Sequence, residues 1–155
     1  PESKFNEAQG YINQALSICD TACSELIKIE ANFGLGVSYF GQKKWDTAED
    51  YFEKSLSLAR AFGDKRFQAE NLVYLGKIDI ERDQFETAVN HLTEAKALAS
   101  NSGYNQLLMD IYKQFSSLYN KKEDFQNAAF YQDQYIQLKD SLISEDLVKN
   151  VARIQ

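Results

Sequence analysis

The stretch Leu35-Gly36-Val37-Ser38-Tyr39-Phe40-Gly41-Gln42-Lys43-Lys44-Trp45-Asp46-Thr47-Ala48 returns 40 residues later as Leu75-Gly76-Lys77-Ile78-Asp79-Ile80-Glu81-Arg82-Asp83-Gln84-Phe85-Glu86-Thr87-Ala88. Phe115-Ser116 and the pair Phe125 and Ala128 mark a third copy at the same offset, and Phe5 and Ala8 stand one period before the first. An aromatic-x-x-Ala pair therefore falls at 5, 45, 85 and 125 without insertion or deletion. Self-similarity at a period of roughly 20 to 50 residues is the signature of stacked supersecondary units. Arrays of that kind work by presenting a surface, so a binding partner is the first expectation and a substrate the second.

Between these marks the apolar residues follow helical spacing. Phe33, Val37 and Phe40, then Trp45, Ala48, Phe52, Ser55 and Leu58, are separated mostly by steps of three and four, which place them on one face of each helix. Each unit reads as two helices, and the spacing predicts helices over 3–18, 22–41, 45–61, 66–82, 85–101, 104–120 and 125–139. Gly63 and Gly103 fall where a second helix must end, the position that takes a left-handed residue. Small residues at Gly36, Ala48, Gly76, Ala88, Ser116 and Ala128 let neighbouring helices approach, while Trp45 and Phe85 fill the space between them.

The totals agree with an all-α array. One Pro and seven Gly in 155 residues leave too few turn-formers for a β-rich chain. With 17 basic against 23 acidic residues the net charge is −6, which argues against nucleic acid or anionic lipid as the main partner. A mean hydropathy of −0.48 and the lack of any apolar run of about 18 residues argue against direct membrane insertion. The sequence starts at Pro1 and its one methionine is Met109, as expected of a fragment of a longer parent. Cys19 and Cys23, four apart on a helical stretch, read as two reduced thiols, since helical geometry does not suit a bridge and two thiols cannot fill a zinc shell.

Leu35-Gly36, Tyr39, Trp45, Ala48, Phe52 and Leu56 resemble a tetratricopeptide repeat, and Leu75-Gly76, Phe85, Ala88 and Leu92 a second copy. The common repeat is about 34 residues long, so this is the longer-helix variety. The resemblance implies a right-handed α-α superhelix. Its array covers 1–140: the second helix of one repeat, then repeats at about 29–68, 69–108 and 109–140. Asp79 departs from the aromatic seen at Tyr39 and Tyr119, and Gln132 and Tyr135 depart from the pattern of the last copy.

Residues 135–155 resemble the segment that follows repeat arrays in membrane-tethered sensor histidine kinases and related regulators of Bacteroidetes-type bacteria. That resemblance implies an input module of a signalling protein, held at the periplasmic face of the inner membrane. The alternative is a free-standing cytoplasmic scaffold or peptide-binding regulator. Ile143, Leu147, Val151 and Ile154 form a stripe over 141–155 suited either to cap the last repeat or to pair as a homodimeric coiled coil.

Catalytic chemistry is not expected. His91 is the single histidine and reads as a structural or exposed residue, no phosphate loop is present, and neither cofactor nor metal is implied. The family resemblance instead puts the first helix of each pair on the concave wall. It nominates Glu30, Phe33, Val37 and Phe40, then Glu70, Val73, Lys77 and Ile80, then Asp110, Lys113, Ser117 and Asn120 as contacts for a protein or peptide. Phe40 and Ile80 suit packing between repeats equally well. Phe33 and Val37 occupy the places where chaperone-tail clamps carry Lys and Asn, so that activity is not expected.

Overall fold

In the computed structural model, residues 7, 9–14 and 24–152 are described, with side chains through residue 144. Residues 9–14 are helical and precede six helices: α1 (Glu25–Gly41), α2 (Trp45–Phe62), α3 (Lys65–Glu81), α4 (Phe85–Ser102), α5 (Asn105–Lys121) and α6 (Phe125–Ala152). The described residues contain no strand. Phe5, Ala8, Ile18, Cys19, Cys23 and Ile154 lie outside the described residues, as do the side chains of Leu147 and Val151.

The helices pack as consecutive pairs, α1 with α2, α3 with α4 and α5 with α6, and each second helix also packs on the first helix of the next pair. First helices touch one another, α1 with α3 and α3 with α5, whereas α2, α4 and α6 do not meet among the described residues. An array that is close-packed along one wall and splayed along the other curves toward the close wall. That wall is built by α1, α3 and α5.

Two kinds of turn repeat with the period. At Gly63 and Gly103 the backbone is left-handed, φ 84° and 70°, and the next amide reaches back five residues: Asp64 N donates to Ala59 O and Tyr104 N to Ala99 O, both at 2.9 Å. This is the Schellman closure that glycine makes without steric penalty. Within each pair the left-handed residue is not glycine: Lys43, Asp83 and Glu123 have φ of 59°, 57° and 58°. The same closure follows, Lys44 N to Tyr39 O at 3.0 Å, Gln84 N to Asp79 O at 2.8 Å and Asp124 N to Tyr119 O at 2.9 Å.

The five helices predicted at 22–41, 45–61, 66–82, 85–101 and 104–120 have both ends within three residues of those observed, and the ends of the one predicted at 3–18 lie outside the described residues. The exception is the last helix, predicted to end at 139, which continues to Ala152. Ile143 is the register equivalent of Gly63 and Gly103, and a β-branched residue is poorly suited to φ > 0, so the chain has no stop signal there.

The core runs through Phe52, Leu72, Ile78, Leu92, Ile111 and Leu118, all at most 1% exposed. The close approaches fall where the small residues predicted them. A Cβ added to Gly36 would lie 2.6 Å from Phe52 Cε1, and one at Gly76 would lie 3.0 Å from Leu92. In the third pair Ser116 Oγ donates to Ala128 O at 3.1 Å. A buried polar chain ties the first two pairs together: Ser55 Oγ donates to Ile29 O, and Asn71 Nδ2 donates to Ser55 Oγ, both at 3.0 Å. Arg82 at the end of α3 holds Glu49 of α2 at 2.6 Å and also binds Asp46.

One substitution of the middle unit is compensated. Tyr39 stacks on Tyr51 (5.5 Å, 4°) and Tyr119 on Tyr131 (5.7 Å, 6°). The equivalent pair in the middle is Asp79 with His91, whose Nδ1 lies 2.8 Å from Asp79 Oδ2. Asp79 is 3% exposed, so the half-buried histidine is a structural partner that satisfies a buried acid.

Candidate functional site

The concave wall is not uniformly open. Toward α1 it is closed by aromatic rings: Phe33 lies 5.6 Å from Phe67, 5.5 Å from Tyr74 and 5.8 Å from Phe52, and Phe40 lies 5.3 Å from Tyr74 and 5.0 Å from Trp45. These edge-on and tilted contacts consume the faces that a ligand would use. Toward α5 the wall opens into a cleft of about 580 Å³ lined by Arg66 and Glu70 of α3, by Tyr104, and by Asn105, Gln106, Leu107, Met109, Asp110 and Lys113 of α5. A smaller cavity of about 330 Å³ shares Arg66, Glu70, Leu107 and Asp110 and adds Phe33, Val73 and Tyr74. The two adjoin at those four shared residues.

The sequence-nominated residues divide accordingly. Glu70, Asp110 and Lys113 line the main cleft, with Phe33 and Val73 at the edge of the smaller cavity. Lys77 stands beside them through its bond to Asp110. Val73 requires correction: at 1% exposed it belongs to the core between repeats and only borders the smaller cavity, while Ile80, 3% exposed, takes the packing place between repeats that was its other reading. Val37 and Phe40 are half-buried against the same core. Glu30, Ser117 and Asn120 are exposed but line none of the cavities at the wall. Arg66, Tyr104, Asn105, Gln106, Leu107 and Met109 are not among the nominated residues, because the offsets back from each Leu-Gly mark stop at Glu70 and Asp110, short of the starts of α3 and α5, where the cleft opens.

Inside the cleft the acids already have partners. Arg66 Nε donates to Glu70 Oε1 at 2.9 Å, and this hydrogen bond raises the guanidinium pKa further above its ordinary value. Asp110 accepts from Lys77 Nζ at 2.8 Å and from Gln114 Nε2 at 2.9 Å. Lys77 Nζ also stands 4.6 Å over the Tyr74 ring. The Tyr74 hydroxyl is pushed up first by burial and then by the negative charges of Asp110 and Glu70. Lys113 makes no ion pair among the described residues; its Nζ lies 4.8 Å from the Tyr135 ring centroid on α6. The cleft thus offers apolar and aromatic walls, two neutralised acids, and one cation whose charge is not met by a carboxylate.

Among the described residues no group of three or more His, Cys, Asp or Glu is placed to hold a metal ion, and no helix is long and apolar enough to cross a membrane.

Residues 28–101 match the Tetratricopeptide repeat family. The chain is also similar to a TPR repeat-containing protein of Dictyostelium discoideum, 34% identical over 91 residues, which is 55% of this chain and 6% of that protein. The chain therefore spans a small part of that relative. Repeats of this kind typically serve as protein–protein interaction modules. Paired helices and small residues at the close approaches make the chain an all-α solenoid, and its residues 28–101 are similar to tetratricopeptide repeats.

Proposed function

We propose that this chain is the partner-binding input region of a larger regulatory protein, taking a segment of a protein in the cleft between α3 and α5. The observation that carries the reading is the cleft itself, an opening of about 580 Å³ on a wall otherwise closed by aromatic packing. A volume of that size is within the range of small-ligand pockets and accommodates a few residues of peptide. Gln106 is exposed and lines the cleft, so Gln106→Trp plugs it without touching the core. The test selects peptides from a displayed random library on the parent chain and measures their affinity for the plugged variant. Loss of binding by a folded variant supports the cleft; unchanged binding refutes it.

The finer reading assigns the parent to sensor histidine kinases or related regulators, with the array on the periplasmic side of the inner membrane. It rests on the resemblance of residues 135–155, and the uninterrupted α6 favours it, because a helix that does not stop at the register of Gly63 and Gly103 can transmit a change in array shape to whatever follows. In the alternative, a free-standing cytoplasmic scaffold, the extension serves as the cap of the last repeat. The gene sequence on both sides of this chain separates them: a leader, a membrane span and a kinase domain support the first, and their absence supports the second.

A further inference from the structure

We propose that the α3–α5 cleft selects an acidic peptide, an extended segment carrying an apolar side chain and a carboxylate, with Lys113 as the residue that reads the carboxylate; the inference rests on the binding function given above. The charge balance of the cleft carries it. Glu70 and Asp110 are the acids a basic partner would seek, and both are occupied, by Arg66 at 2.9 Å and by Lys77 at 2.8 Å. A basic partner must break one of those pairs. An acidic partner breaks none, because Lys113 is exposed and its ammonium rests on an aromatic ring rather than on a carboxylate. The Arg66 guanidinium, 67% exposed, stays matched to Glu70 as Lys77 does to Asp110, so the three cations exceed the two acids by one, at Lys113. In a chain of net charge −6 this places a local excess of positive charge inside the cleft and repulsion outside it, an arrangement that favours a correctly seated acidic segment over a diffuse one.

The dimensions agree. From Tyr104 to Lys113 the α5 wall rises about 14 Å at about 1.5 Å per residue, the reach of roughly four residues of extended chain at about 3.3 Å each. The apolar side chain faces Leu107 and Met109 near one end, and the carboxylate meets Lys113 at the other.

The test uses the library selection on the parent chain, followed by affinity measurements of the best sequence on Lys113→Glu and Lys113→Gln. The expected result is enrichment of Asp or Glu at a fixed distance from an apolar residue. Lys113→Glu is expected to weaken that peptide about fivefold or more, the upper range for an exposed pair, and Lys113→Gln by less. A peptide with its acid changed to Lys should recover affinity for Lys113→Glu. Far-UV circular dichroism confirms that both variants fold. Selected sequences that need the open cleft but carry no acid, or that bind Lys113→Glu unchanged, overturn the charge assignment and leave the binding function standing. A library that yields no sequence dependent on the open cleft overturns both.

Discussion

Gly36→Ala places a methyl group where the structure has no room for it. In an unobstructed helix the change would stabilise by about 1 kcal/mol, since alanine is the better helix former. Here the new Cβ lies 2.6 Å from Phe52 Cε1 and 2.7 Å from Cδ1, against an ordinary carbon contact of about 3.5 to 4.0 Å. The ring must retreat by about an ångström, and its retreat is blocked: Phe52 stacks on Tyr74 at 4.8 Å and packs against Phe33 at 5.8 Å, with none of its surface exposed. Overpacking a core typically costs about 1–3 kcal/mol, and the blocked retreat puts this site at the upper end. The net loss is then about 2 kcal/mol, or a fall of about 4–8 °C in the thermal midpoint for a chain of this size. Circular dichroism melts of the parent, Gly36→Ala, Phe52→Leu and the double variant measure it, with the combined change smaller than the sum of the single ones if the clash is the cause. Gly10→Ala is the control, because a Cβ there meets nothing within 4 Å. A Gly36→Ala protein as stable as the parent would refute the packing argument.

Further outcomes follow from the same geometry. Gly63→Ala meets no neighbour within 4 Å, so its expected loss of about 1 kcal/mol isolates the left-handed backbone, and Lys43→Gly should move the midpoint the other way. His91→Ala should cost about 2 kcal/mol by leaving buried Asp79 without its partner, while Asp79→Tyr with His91→Tyr rebuilds the ring stack of the neighbouring units and should recover much of that loss, as a double-mutant cycle on denaturant midpoints reads directly. Asp124 accepts from the Asn127 side chain at 2.6 Å and from its backbone N–H at 3.1 Å, in that order of effect, which holds its pKa below the ordinary 3.8. The contribution is present above that value and lost as pH falls through the lower folded one, so Asp124→Asn should flatten the acid limb of a stability–pH curve; an unchanged limb counts against it. Ile143→Gly should lower helicity by letting α6 end where α2 and α4 end, and an unaltered far-UV spectrum would show that the residue is not the cause of the extension.

The repeat marks fixed the helices because helix ends are local: Gly63, Gly103 and the aromatic at the start of each second helix are signals within one or two turns. The cleft was less legible, for a physical reason. Positions a turn apart on one helix alternate between the open wall and the seam with the next repeat, so the same offset that exposes Lys113 buries Val73 at 1%. The period carries position but not the size of the neighbour that covers it. Two features were present in the sequence and needed only comparison between units: the joint replacement of Tyr39 and Tyr51 by Asp79 and His91, and the Ile143 that stands where glycine ended the earlier second helices.

The two kinds of turn also set where the array can flex. Lys43, Asp83 and Glu123 sit in a left-handed basin that is narrow for a residue with a side chain, whereas Gly63 and Gly103 occupy a broad one. Each helix pair is therefore a stiff lever, and compliance is concentrated at two joints between levers. On the proposed function, a partner wedged between α3 and α5 would act across the second joint, so the mechanical work of binding would appear as rotation about Gly103 and reach α6 as a swing of the whole last lever rather than as a distortion within it.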